Sequence, residues 1–300
     1  MAKSKSSIYS ALAANVLIAI TKFIAGSVTK SSSMISEGVH SLVDSTNQLL
    51  LLYGIKQSKK RPDPIRPFGY GKELYFWSFI VAIMIFGLGG GISIYQGYTH
   101  ILNPEPLTNA KWNYVVLGLS IVFEGTSFII AAKEFNKTRG DQSWWKAIIN
   151  SKDPSSFLVL FEDGAAVLGL GIVFICIFLE HQFNNPYLDG VASVLVGLLL
   201  VGVSLILARE SRSLLMGEGI AERTSRQIKK IITEDPLILE VKYLFSSYQS
   251  PEEILLVLIV NMKADLDTAE IDDAITDARE KIKKKYPLIK FVIIQPELKD

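Results

Sequence analysis

The residues of this sequence with the greatest capacity for chemistry are Glu37, His40, Asp44 and Asn47, in the stretch MISEGVHSLVDSTNQLLLLYG. Their spacings of three, four and three place all four on one stripe of a helix. The flanking residues are apolar over about the length of a bilayer crossing, where an ionisable side chain costs at least about 2.5 kcal/mol on insertion scales. A single Asn or Ser would be explained as polar glue between helices. A histidine with two carboxylates on one stripe is not, and the stripe reads as a cation or proton site. An imidazole nitrogen and a carboxylate oxygen one turn apart, as at His40 and Asp44, reach one ion together and supply half of a tetrahedral site.

The other half has to come from another helix. Glu162 and Asp163 in LVLFEDGAAVLGLG offer carboxylates, as does Glu124 in SIVFEGTSF. Adjacent helical residues point about 100° apart, so Glu162 and Asp163 are not both expected to face one ion. Mixed nitrogen and oxygen ligands suit zinc, and also manganese, iron or cobalt, better than copper(I). The single cysteine, Cys176, excludes an intrachain disulfide and a thiolate cluster within one chain.

These residues need membrane helices to position them. A crossing takes about 20 mostly apolar residues, and such stretches recur near 8–28, 33–55, 73–101, 114–132, 155–179 and 186–208. Six spans put both termini on one side. Lys3, Lys5, Lys56, Lys59, Lys60, Arg61, Arg66, Lys72, Lys133, Lys137, Arg139, Lys146 and Lys152 gather on that side, against little beyond Lys30 and Lys111 opposite. The positive-inside rule makes the terminal side cytoplasmic. No small-residue cleavage site follows the first span, so it is expected to stay in the protein. The net charge of +1 gives no case for nucleic acid.

From about Arg209 the pattern becomes that of a soluble domain, dividing the chain into a six-helix membrane region (1–208) and a tail (209–300). A helix over 222–234, strands over 238–247 and 253–262, a helix over 268–285 and a strand over 289–295 are expected, bounded by Pro236, Pro251 and Pro287. That order, αββαβ, is a small α+β layer with its helices on one face of a three-stranded sheet.

Taken with HSLVD in the second span, PFGYGKEL at Pro67 to Leu74, PYLDGVASVLVGLLL at Pro186 to Leu200 and the αββαβ tail, the sequence resembles the cation diffusion facilitator family over nearly its whole length. Its SEGVHSLVDSTNQ and LFEDGAAVLG stretches are closest in style to the branch holding the mitochondrial zinc transporter and its bacterial relatives. The resemblance implies a homodimer of six-helix protomers that exports a divalent metal, zinc foremost, from the cytoplasm in exchange for protons. It implies a bacterial inner membrane location, paired cytoplasmic tails, and no enzymatic activity or cofactor beyond the transported ion.

The family's site takes an Asp/His-x-x-x-Asp pair from each of the second and fifth helices. His40 and Asp44 match the first pair, and Asp163 the last position of the second. Four residues before Asp163 stands Val159, which binds no metal. A fourth ligand must therefore come from Glu124 or Glu162, with Asn47 or water as weaker candidates. Glu124 is preferred because an isolated glutamate among Gly125, Thr126 and Ser127 is otherwise hard to explain.

The accessory histidines of some relatives are missing: Arg66 and Tyr70 hold two of those loop positions, and the three histidines are His40, His100 and His181. His100 and His181 read as interfacial residues at the outer ends of spans, and Lys22 and Asp189 as side chains snorkelling toward the outer face. Gly87 and Gly91 carry small-xxx-small spacing for close helix packing. Two other functions weigh against metal transport: an intramembrane metal-dependent enzyme, whose usual His-Glu-x-x-His string is absent, and a proton-coupled carrier of an organic solute using the same acids as a relay.

Overall fold

The computed structural model describes residues 2–106 and 111–298. Among these, the side chains of 2–11, 13, 14, 138, 150 and 298 are outside the described set, and Lys3 and Lys5 of the charge argument fall there. The chain divides into two compact units, one of residues 1–55 and 76–212, the other of 56–75 and 213–300.

Six long helices run through the chain: α1 (Ala2–Thr29), α2 (Ser32–Ser58), α3 (Glu73–Leu102), α4 (Lys111–Arg139), then, after the short α5 (Trp144–Asn150), α6 (Pro154–Phe183) and α7 (Tyr187–Met216). At 27 to 30 residues each exceeds the hydrocarbon core of a bilayer. α3, α4, α6 and α7 are also apolar enough to cross it. The apolar part of α1 among described residues runs over Asn15–Thr29. α2 has the length, but its polar stripe lowers its hydropathy, so the helix richest in chemistry is also a poor span by composition. α5 was not expected from the sequence.

Local signals set the helix ends. Asp153 accepts a hydrogen bond from the Ser155 backbone N–H with Pro154 in the first turn, and α6 closes on Asn184 in the left-handed region (φ 51°). The start of α2 is capped from another helix. Asp189 of α7 is fully buried and accepts from Ser31 Oγ at 2.7 Å and from the backbone N–H groups of Ser32 and Ser33. A carboxylate on the exposed N–H groups of a helix start is favourable for charge as well as hydrogen bonding. Snorkelling is thus the wrong account of Asp189: those N–H groups need an acceptor, and Asp189 supplies it.

α3 contains a π-helical turn over Ile85–Gly91. The glycines that let helices approach are not the expected pair. A Cβ at Gly87 would meet nothing within 4 Å, and at Gly91 only the Phe86 carbonyl oxygen of its own helix at 3.7 Å. Gly90 and Gly97 instead face Gly197 and Gly190 of α7, where a Cβ on Gly97 would stand 2.5 Å from the Gly190 carbonyl oxygen.

In the second unit, α8 (Glu222–Ile232) precedes β1 (Ile238–Ser250) and β2 (Glu253–Met262), and α9 (Thr268–Lys285) precedes β3 (Ile289–Leu298). The sheet order is β1-β2-β3, with β1–β2 antiparallel across a tight turn and β2–β3 parallel across α9, the crossover that a parallel pair requires. Ile254, Leu256, Leu258 and Val260 alternate into a core closed by Ile228 and Ile232 of α8 and by Ile275 and Ile282 of α9. Asp267 and Glu270 form a capping box at the start of α9. This is the expected αββαβ layer. The segment between α2 and α3 joins this unit, with Phe68 edge-on to Phe291 at 5.4 Å. Within it Tyr70 donates to Asp63 at 2.6 Å, and Arg66 lies 4.5 Å from the Tyr70 ring.

Candidate metal and proton site

Four helices of the first unit bring ionisable groups together. On α2, His40 is 2% exposed, with Nδ1 3.4 Å from Asp44 Oδ1. Neither His40 ring nitrogen nor Asp44 Oδ1 has a hydrogen-bond partner, although all three atoms are buried. Buried polar atoms are almost always paired. One imidazole nitrogen and the Asp44 oxygen therefore keep open lone pairs, at the helical spacing expected of a ligand pair.

A cavity of about 40 Å³ is lined by Asp44, Glu124, Glu162 and Asp163 together with Ser41 and Val159, while His40 stands beside Asp44 outside its lining. That is room for a small ion and water. Asp163 of α6 is held by Ser127 Oγ of α4 at 2.8 Å, and Glu162 by Asn47 Nδ2 of α2 at 2.7 Å. Both acids line the same cavity, against the expectation from their 100° offset. The cavity lies between helices rather than on one face of α6, and flexible side chains reach it from either flank. Val159 shares the wall, so the position four residues before Asp163 presents a hydrocarbon.

Glu124 reaches the cavity on different terms. One of its oxygens is 2.7 Å from Lys22 Nζ of α1, which also lies 3.0 Å from Glu37 Oε2 and 2.8 Å from Ser41 Oγ. Lys22 is fully buried, so it does not snorkel: the carboxylates of α2 and α4 neutralise it where it stands. Sequence reasoning missed this trio. The available signal was a lysine in an apolar span in the same chain as a glutamate, Glu37, that the ligand spacing left unused.

The local charge is lopsided. Five carboxyl groups (Glu37, Asp44, Glu124, Glu162 and Asp163) share one ammonium in a largely buried space. Such a cluster is stable only with added positive charge, from protons or from a cation. Among the described residues no three His, Cys, Asp or Glu side chains are gathered tightly enough to hold a metal ion as they stand. Closure on an ion therefore requires the carboxylates to turn inward from the cavity wall. At the far end of the bundle His100 is 3.9 Å from Asp189 and mostly buried, unlike an interfacial histidine, whereas His181 is exposed.

Comparison with known proteins agrees with this architecture. Residues 8–216 match the family model for the cation efflux transmembrane domain. The chain is 36% identical over 230 residues to the proton-coupled zinc antiporter SLC30A9, mitochondrial, of Homo sapiens, covering 76% of this chain and 40% of that protein. It is 32% identical over 266 residues to metal tolerance protein C4 of Arabidopsis thaliana (88% of this chain, 57% of that one). It is 23% identical over 291 residues to the manganese efflux system protein MneP of Bacillus subtilis (95% and 92%). The chain thus spans less than two thirds of the human and plant proteins. The match across α1 to α7, with ionisable residues buried among long apolar helices, shows an integral membrane protein that belongs to the cation efflux family.

Proposed function

We propose that this protein carries a divalent transition-metal ion, zinc foremost, across a membrane in exchange for protons, and that His40, Asp44, Glu162 and Asp163 bind the ion. The observation that carries the reading is the set of buried atoms without partners on His40 and Asp44, with Asp44 lining a cavity walled by further carboxylates. One imidazole and three carboxylates are ligands of the kind zinc takes, and manganese, iron or cobalt accept the same set. Glu162 is assigned as the fourth ligand in place of Glu124, because Lys22 already holds Glu124.

The exchange follows from the charge. Metal binding needs deprotonated ligands, so an arriving ion displaces protons from the cluster, and protons returning from the other side expel the ion. Neither state leaves the carboxylates uncompensated. Ser127 and Asn47 orient Asp163 and Glu162 in both. The names of the human and bacterial relatives, a proton-coupled zinc antiporter and a manganese efflux protein, support the cargo class. Export from the cytoplasm, with both termini cytoplasmic in a bacterial inner membrane, is part of the reading. The placing of both termini in the cytoplasm is supported by the basic residues between α2 and α3 and between α4 and α6. Homodimerisation through the tail is supported by exposed Leu239, Tyr243 and Phe245 on the edge strand β1. Zinc titration of the purified chain by calorimetry tests the site. Binding lost in Asp44→Ala supports it, and undiminished binding refutes it.

A further inference from the structure

The proposed site leaves the buried ammonium of Lys22 without a part in it. Lys22 lies within 3.0 Å of Glu37 Oε2, Ser41 Oγ and Glu124 Oε1. An ammonium has three protons to donate, and these acceptors take all of them. Two of the three, Ser41 and Glu124, also line the cavity, and the ammonium is bonded to them from outside that lining. The remaining oxygens of the two carboxylates, Glu37 Oε1 and Glu124 Oε2, are buried without partners. Space is kept for Glu37 by Gly169 of α6, where a Cβ would come within 2.9 Å of Glu37 Oε1. Without the lysine, this pair of carboxylates beside a hydroxyl would itself make an oxygen site for a cation.

We propose that Lys22 is a tethered counter-cation, which occupies the Glu37–Glu124 pair, denies it to a second metal ion and confines the cargo to the neighbourhood of Asp44. The inference rests on the metal-transport reading above. Lys22 is a positioning residue, since it touches the flanking acids and not the ion.

The test is zinc bound per chain in the purified full-length protein, measured by equilibrium dialysis and elemental analysis, with the absorption of bound cobalt(II) as a second readout. Wild type should bind about one ion and Lys22→Met about two, because the uncovered carboxylates then need another cation. Lys22→Met with Glu37→Gln and Glu124→Gln should return to about one. Should Lys22→Met alone not fold, Glu37→Gln with Glu124→Gln provides the reciprocal arm. The lysine, released from its partners, should weaken zinc binding about tenfold or more, the scale of an unscreened like charge, and removing it in the triple variant should restore affinity. A purely structural lysine gives no such rescue. One ion in Lys22→Met with an unchanged cobalt spectrum, or wild-type affinity in the double glutamine variant, overturns this inference alone. A wild type with no Asp44-dependent binding overturns the transport reading and the inference with it.

Discussion

His40 Nδ1 and Asp44 Oδ1 face each other at 3.4 Å across one turn of α2, and neither atom has a hydrogen-bond partner. A histidine kept merely for packing would have its nitrogens paired, because an unpaired buried polar group costs about 1–3 kcal/mol. His40→Ala and Asp44→Ala should therefore lose zinc affinity by at least about 10–100-fold, the range seen when even supporting groups of a metal site are removed. Thermal stability should be retained or raised, since each change removes an unpaired buried group. Calorimetry together with thermal unfolding checks both outcomes.

Asn47 and Ser127 donate hydrogen bonds to the acids of α6, Glu162 and Asp163. Asn47→Leu frees Glu162 and Ser127→Ala frees Asp163, and each should weaken zinc binding about tenfold or more while leaving the count of bound ions unchanged. Glu162→Gln should weaken binding more than Glu124→Gln does. The reverse order would return the fourth position to Glu124.

The α3–α7 contact depends on particular glycines. Gly97→Ala and Gly190→Ala each push a methyl against backbone atoms of the other helix, and should destabilise the protein by about 1–3 kcal/mol. Gly87→Ala, whose Cβ would meet nothing within 4 Å, should be neutral. Unfolding in detergent separates the two groups.

The glycines also show how far the sequence could be read. Spacing alone identified a small-residue pattern in α3 but not which member meets α7, because the π-helical turn over Ile85–Gly91 shifts the face presented beyond it. The stripe of α2 was legible, since three-four-three spacing survives in any helix. Its partners were not: an apolar span does not show its rotation about its own axis, so Lys22 looked like a snorkelling residue until α1, α2 and α4 were placed together. The role of Asp189 was not legible for the same reason, as the groups that donate to it, Ser31 Oγ and the backbone N–H groups of Ser32 and Ser33, lie at the start of α2. The tail was almost fully legible, because alternation in β2 and the prolines between its elements are local signals. The six long helices were expected, yet four pass on composition among the described residues: polar residues lower the hydropathy of α2, and the apolar part of α1 described there is only Asn15–Thr29.

Outside the membrane, Asp63 provides a pH-sensitive contact in the segment between α2 and α3. The hydrogen bond from Tyr70 and those from the backbone of Arg66 and Ile65 hold its carboxyl below the usual range. A depressed carboxyl contributes stability that is complete above its unfolded value, about 3.9, and is lost as the pH falls through its lower folded value. Acidification in that window should loosen residues 60–75. Asp63→Asn should loosen them at neutral pH as well. Hydrogen exchange of this segment as a function of pH is the check.

Exchange of metal for protons through the α2–α6 cavity is measured as flux into proteoliposomes carrying an imposed pH gradient. Zinc uptake should follow the gradient, move protons the opposite way, and fall to background in Asp44→Ala and in Asp163→Ala. Zinc flux independent of the pH gradient, or undiminished in those two variants, would contradict the account.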